Sequence, residues 1–269
     1  MAATVADCPQ VAEAARQEMS LIAKRDLLAE AIGRCGNDAE LNYLYGASLE
    51  RLRKYEDALK YYGAAVRLNP RHAKAFQGMG DVSTILGDIP GAVAAYEKGL
   101  KLDPNDGRAK HSLETARIKL KSQSGGMISS EEFVKVMKKS DQPKEADAPP
   151  VEGPVLRVVV LSAKNDPAKL TDETGDYLSL VIGRALQSPA LKEAVFEVGG
   201  YSDDSGSEEV SVEMSRKRAE AVRKYLVENA SIDPKRLVVA AYGKVRPVAP
   251  NTTAENRMLN RRVEFKRVR

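Results

Sequence analysis

The chain has 269 residues, of which 43% are apolar and 30% charged, with a formal net charge of +4. This length suits two domains of ordinary size, and the composition is that of a folded globular protein rather than a disordered or fibrous one. Lys and Arg alternate with Glu and Asp along nearly the whole chain, so no basic stripe of the kind that binds nucleic acid is present.

No segment reaches the roughly 18 consecutive apolar residues needed to cross a bilayer as a helix. Met1–Cys8 has no basic head followed by an apolar stretch, and Asp7 stands where a lipoprotein signal needs a small residue. Two explanations stay open on this evidence: a cytoplasmic protein, or an exported one whose signal has been removed.

The N-terminal half repeats every 34 residues. Gly46 recurs as Gly80, Ala58 as Ala92, Tyr62 as Tyr96 and Pro70 as Pro104, and Ala65 is matched by another small residue, Gly99. These are the period and residue types of the tetratricopeptide repeat. Small residues let two antiparallel helices approach, the tyrosine fills the space between turns, and the proline stops the second helix. One period back, Ala12 and Ala31 fall in register, so residues 5–37 read as a degenerate first repeat. Asp106–Lys121 reads as a capping helix with a polar outer face. The repeat domain is therefore expected over 5–121. Its first helices should line a groove with Tyr43, Ala47, Glu50, Lys74, Gln77 and Asp81, which suits an unidentified protein or peptide. The mixed charge names no partner type, and the Lys/Asn set with which some such repeats grip a peptide C terminus is absent.

Cys8 and Cys35 are the only cysteines. In repeat register they fall early in the first helix and at the end of the second, ends that antiparallel helices bring together. A disulfide and a pair of free buried thiols are equal alternatives until the compartment is known. His72 and His111, the only histidines, have no Cys or carboxylate array around them for a metal. Neither lies in the C-terminal half, so no His-based catalytic triad is expected there. No phosphate-cradling glycine motif occurs, and no cofactor or metal is expected.

Residues 122–154 have linker composition, with Ser-Gly-Gly, Gln142-Pro143 and Ala148-Pro149-Pro150. Inside it, Ser129-Ser130-Glu131-Glu132 reads as a capping box opening a short helix over Glu131–Lys138. Phe133, Val136 and Met137 of that helix have three destinations: the repeat groove, the following domain, or solvent as a frayed linker helix.

From Val155 strands alternate with helices. The strands are expected at Val155–Leu161, Val195–Gly199, Arg236–Tyr242 and Arg262–Val268. Helices are expected at Asp172–Gln187, Ser211–Asn229 and Ala254–Leu259, the last with Thr252 and Glu255 as a capping box. Arg261, Lys266, Arg267 and Arg269 read as charges on a solvated strand edge, where they discourage edge pairing. One feature breaks the pattern. Arg218 lies four residues from both Met214 and Val222, on the apolar stripe of its helix. A cation there needs a partner, because an unpaired buried charge is costly. The Gly-rich acidic loop Gly200–Gly206 is the natural place for one.

Four stretches, in order, carry a family resemblance. Gly199–Gly206 resembles the glycine–aromatic–Thr–Asp–x–x–Gly loop of OmpA-like domains, and Ser215-Arg216-Lys217-Arg218-Ala219 resembles their Ser-x-x-Arg-Ala helix. Ala241-Tyr242-Gly243 with Pro247 resembles their Gly-Tyr-Gly…Pro segment. Asn251-Thr252-Thr253 through Asn260-Arg261-Arg262-Val263-Glu264 resembles their terminal signature. The expected fold class is thus an all-α tetratricopeptide-repeat solenoid followed by an α/β (α+β) OmpA-like domain over 155–269, a mixed sheet with helices packed on one face.

The resemblance implies that Asp203 and Arg218 grip the diaminopimelate of the peptidoglycan stem peptide. Diaminopimelate is a zwitterion, so a carboxylate suits its ammonium and a guanidinium fork suits its carboxylate. Arg262 is implied as a second carboxylate contact. Ser202 stands where the family has Thr and keeps the hydroxyl. Ser211 stands where the family has Asn, and its shorter side chain loses a hydrogen bond to the ligand. The bland alternative is a buried Asp203–Arg218 ion pair that only orients the helix. The expected function is a non-enzymatic anchor to peptidoglycan that docks a protein through its repeats, in the periplasm or at the outer membrane of a diderm bacterium. The alternative is an envelope assembly scaffold whose OmpA-like domain has lost the ligand.

Overall fold

Six helices pair in sequence through the N-terminal half: α1 (Cys8–Gln17) with α2 (Leu21–Cys35), α3 (Ala39–Arg51) with α4 (Tyr55–Leu68), and α5 (Ala73–Leu86) with α6 (Ile89–Leu102). The structure is a computed structural model and describes residues 8–138, 154–158, 162–163 and 166–269. It divides the chain into two compact units, 1–117 and 118–269, with the boundary inside α7 (Gly107–Gln123).

In the first unit the sequence sets the helix starts. Ser20, Asp38, His72 and Asp88 each accept a backbone N–H in the first turn of the helix they precede, satisfying donors that the helix leaves open. The repeated residues explain the pairing. A β-carbon on Gly46 would lie 2.9 Å from the Tyr62 ring, and one on Gly80 would lie 2.5 Å from the Tyr96 ring. Each glycine is therefore the hole that its repeat's tyrosine fills. Both hydroxyls are satisfied, Tyr62 donating to Glu50 and Tyr96 to Asp81 at 2.7 Å, and burial pushes the Tyr62 and Tyr96 phenols well above their ordinary range. Leu113 and Ala116 of α7 close the array against Ala92 and Tyr96.

The degenerate first repeat is a true helix pair, with Val11, Ala12, Ala15, Leu28 and Ala31 buried between α1 and α2. Cys8 and Cys35 are joined in a disulfide with Cα atoms 5.9 Å apart. Thiol titration of unreduced, denatured protein from an oxidising compartment should therefore find no free thiol. Two titratable thiols would contradict the bond.

The second unit begins earlier than composition suggests. Ile118, Ile128, Phe133, Val136 and Met137 all enter its core, so the expected linker 122–154 starts inside a folded unit. Helix α8 (Ser130–Met137) is opened by the expected capping box, with Ser129 and Glu132 as its two members. It docks on this unit's sheet, the Phe133 ring lying 6.2 Å from Phe196 and 5.7 Å from Phe265. Residues 139–153 of the expected linker and 159–161 of the expected first strand lie outside the described residues.

The sheet holds β1 (Val155–Val158), β4 (Phe196–Gly200), β5 (Leu237–Ala241) and β6 (Val263–Arg267) in the order β1-β6-β4-β5, while β2 (Ser162–Ala163) and β3 (Asp166–Leu170) form a separate hairpin. β6 runs antiparallel to both β1 and β4, and β4 runs parallel to β5. One face of the sheet, with Leu156, Val158, Phe196, Val198, Leu237, Val263 and Phe265, is buried under α8 and two further helical stretches. The first runs from α9 (Asp172–Tyr177) through a π-helical turn at Leu178–Gly183 into α10 (Arg184–Gln187). The second is α11 (Glu208–Asn229). A 3₁₀ turn at Pro234–Arg236 leads into β5, and α12 (Ala254–Asn260) precedes β6.

Several expectations shift. The β2–β3 hairpin was not anticipated. α11 starts three residues before Ser211, because Ser207 caps it. α12 is capped by Thr253 rather than by Thr252 with Glu255. The basic C-terminal strand is no edge: β6 lies between β1 and β4. Its charges survive there because they reach backbone or acidic partners, as when Arg267 donates to the Met137 carbonyl at 2.8 Å. Among the described residues no helix is long and apolar enough to cross a membrane.

Candidate functional site

The site grows from the end of β4. A β-carbon on Gly200 would sit 1.9 Å from the Ser215 carbonyl oxygen, so only glycine lets the strand touch the α11 backbone here. The Ser215 hydroxyl donates to Val212 and accepts from the Gly243 N–H at 3.0 Å. Gly243, with φ at +59°, returns its carbonyl to the Ser202 N–H at 2.7 Å. Three segments that the sequence keeps apart are thus stitched together: the loop after β4, the start of α11, and the turn after β5.

Arg218 rises from α11 into this junction and is 5% exposed. Its Nη1 donates to the Tyr201 carbonyl, so its partner is in the acidic loop but is backbone rather than carboxylate. Burial lowers its pKa to about 10, with Arg261 adding to the depression and Asp203 opposing it, and it stays charged at neutral pH. Asp203 is 7% exposed. One carboxylate oxygen accepts from the Ser205 N–H at 3.1 Å and the other lies 3.2 Å from Arg261 Nη1. Among the described residues no ion pair joins Asp203 to Arg218. Arg218 and Arg261 thus both stand at the acidic loop, but only Arg261 bonds to the Asp203 carboxylate, while Arg218 feels it through the field alone. The neighbouring Asp204 pairs with Arg257 at 3.1 Å, so α12 and the residue after it face the loop with two cations.

Ser202 and Ser211 are both buried at the base of the loop. The Ser202 hydroxyl donates to the Asp203 carbonyl at 3.2 Å, and Ser211 lies under Gly206, where an added β-carbon would meet its hydroxyl at 3.8 Å. Among the described residues no group of three His, Cys, Asp or Glu could hold a metal.

With this geometry established, the comparisons with known proteins fall into two parts. Residues 164–261 match the OmpA family, and residues 39–72 and 73–106 each match a tetratricopeptide repeat. The second unit carries an OmpA-family domain, and two tetratricopeptide repeats precede it. The chain is similar to Outer membrane protein A of Bordetella avium, 35% identical over 130 residues, covering 47% of this chain and 62% of that protein. It is also similar to Peptidoglycan-binding protein ArfA of Mycobacterium tuberculosis, 34% identical over 101 residues, covering 38% and 30%. A third relative is the Peptidoglycan-associated lipoprotein of Pseudomonas aeruginosa, 38% identical over 68 residues, covering 25% and 40%. The chain spans less than two thirds of the length of each of these relatives. The matched families are structural and binding domains, not enzyme families.

In this OmpA-family domain the terminal motif divides its work differently from expectation. Arg262, implied as the second carboxylate contact, is 3% exposed. Its Nε is 2.6 Å from Glu264 and its Nη2 donates to the Arg246 carbonyl at 3.0 Å. Its guanidinium lies 3.7 Å above the Tyr201 ring, and Tyr201 in turn stacks on Tyr242 at 4.9 Å. Tyr201 is thus packed between Tyr242 and the Arg262 guanidinium, whose own bonds go to Glu264 and the Arg246 carbonyl. The cation that reaches Asp203 is Arg261. A signal for this exists in the sequence: Arg262 and Glu264 are two apart in the expected strand Arg262–Val268, and although β6 begins only at Val263 the two side chains still share a side and pair. Asn260 is also structural. Its amide accepts from the Val248 and Ala249 N–H groups and donates to Ala249 and Asn251.

Proposed function

We propose that this protein is a non-enzymatic anchor to peptidoglycan, resident in the periplasm or at the outer membrane of a diderm bacterium. In this reading its OmpA-family domain binds the diaminopimelate of the stem peptide, and its repeats dock a partner protein or peptide. The observation that carries the reading is the convergence of Asp203, Arg218 and Arg261, three charged side chains in one junction. One carboxylate beside two guanidinium groups suits a group that presents both an ammonium and a carboxylate. Asp203 takes the ammonium and Arg218 the carboxylate. Arg261, 45% exposed at its side chain, leaves Asp203 for the ligand carboxylate. Ser202 and Ser211 shape the base of the pocket, and Arg262 holds Tyr201 beneath it. The relatives named for peptidoglycan support this ligand class, and the Cys8–Cys35 bond supports an oxidising compartment.

A specific observation favours one second reading. Asp203 already has a cation partner, and Ser211 offers a shorter side chain than the family's Asn. An envelope scaffold with a silent OmpA-family domain would look like this. Co-sedimentation with purified sacculi separates the readings. The anchor pellets with sacculi and releases no muropeptide. A protein that stays in the supernatant is the scaffold, and released fragments would mean an enzyme.

A further inference from the structure

Arg157 on β1 is a buried cation, 7% exposed, with no carboxylate at ion-pair distance among the described residues. Its neighbours Leu156 and Val158 belong to the apolar face of the sheet, so Arg157 points to the opposite face. There its Nη1 donates to the Gln123 carbonyl at 2.5 Å and its Nη2 to the Leu259 carbonyl at 2.6 Å. Its own carbonyl accepts from the Ser122 hydroxyl at 2.6 Å. Gln123 is the last residue of α7, and Leu259 lies in the last turn of α12. Terminal helix carbonyls lack intrahelical partners and carry the negative end of the helix dipole. Two helix ends thus supply the direct acceptors of this guanidinium, with Glu264, its register partner on β6, favouring the charge from beyond ion-pair distance. The group stays protonated although burial lowers its pKa to about 10, with Arg262 adding to the depression.

The consequence lies in α12. This helix has seven residues and buries only Asn260, yet it presents Arg257 to Asp204 and is followed by Arg261 on Asp203. Asn260 holds the loop before α12, at Val248–Asn251. The C-terminal end of α12 is held by Arg157, with Gly125 against Leu259, where a β-carbon would meet the leucine at 3.6 Å. We propose that Arg157 is a positioning residue for the ligand site: its fork fixes the end of α12 at the place from which Arg257 and Arg261 meet the acidic loop. The proposal rests on the reading of Asp203 and Arg218 as the ligand site.

The test uses the full chain with Arg157→Lys, which keeps the charge but loses the fork, and Arg157→Met, which removes both. Amide hydrogen exchange followed by NMR reads α12 directly, and co-sedimentation with sacculi reads the site, with Asp203→Ala as reference. In Arg157→Lys, the amides of Asn256–Asn260 should exchange at least about tenfold faster while those of β4 keep their protection, as expected when one hydrogen bond worth roughly 1.4 kcal/mol is lost. Sacculus affinity should fall about tenfold. That loss should vanish when Arg257 and Arg261 are already Ala, since Arg157 then has nothing left to position. Arg157→Met should repeat the pattern more strongly, and if it does not fold, Arg157→Lys carries the test. Unchanged exchange in α12 overturns the proposal whatever the binding does. So does loosened α12 with unchanged binding, provided Asp203→Ala still weakens binding. Loosened α12 with binding unmoved by Asp203→Ala as well supports the hold on α12 and counts against the ligand reading alone.

Discussion

Asp203→Ala and Arg218→Ala should each weaken binding to sacculi by about ten- to a hundred-fold, the equivalent of one charge-assisted hydrogen bond of roughly 1.5–3 kcal/mol. The two changes differ in their cost to the fold. Asp203 has one carboxylate oxygen on Arg261, which is 45% exposed at its side chain, and the other on the Ser205 N–H. Truncation therefore leaves a cation that water can solvate and one half-buried N–H without its acceptor, and stability should fall by about 0.5–1.5 kcal/mol. Arg218→Ala leaves the buried Tyr201 carbonyl without its donor, a loss of about 1–3 kcal/mol. Binding must therefore be read beside a thermal melt for each variant. The double mutant should lose less than the sum, since both side chains hold one ligand group. If Asp203→Ala folds normally and pellets with sacculi as the wild type does, the ligand assignment fails and the charged junction is only structural.

Much of this was legible in the residues because short-range rules carry it. The repeat period follows from glycine–tyrosine packing within a helix pair, and the capping box at Ser129 is complete within four residues. The stripe position of Arg218 announces a buried cation, and its partner does lie in the Gly200–Gly206 loop. What sequence order could not give was partner choice across the fold. Arg218 bonds to the Tyr201 carbonyl rather than to the Asp203 carboxylate, because Arg261, 58 residues from Asp203 in sequence, reaches that carboxylate. Arg157 carries no signal in the sequence, since an arginine in a short strand reads as solvated, and only the fold sets two helix ends against it. The basic C-terminal strand reads as an edge in the sequence because charge on a strand usually marks one. Here the sheet order puts β6 in the middle, and the Met137 carbonyl takes up its one arginine, Arg267.

The boundary of the second unit leads to the other large effect. Composition assigned residues 122–154 to a linker, because Ser-Gly-Gly and the prolines outweigh eight helical residues. Yet Phe133 is fully buried, and its ring meets those of Phe196 and Phe265 from the two central strands of the sheet. Phe133→Ala removes a whole ring from a packed site. Such truncations cost about 3–5 kcal/mol, counting both lost burial and the cavity left behind. A domain's total stability is roughly 5–15 kcal/mol, so the unfolding transition of the second unit should move to markedly lower temperature or urea. The first unit should not follow, because its cores are built from other residues. Calorimetry of the full chain can resolve this as the downward shift of one transition. Met127→Ala is the matched control: this side chain is 42% exposed and should cost within about 0.5 kcal/mol. If the two substitutions prove equally mild, α8 is peripheral and the linker starts where composition placed it. If Phe133→Ala alone is severe, a fragment cut at Val155 lacks part of its own core and is the wrong piece with which to measure binding.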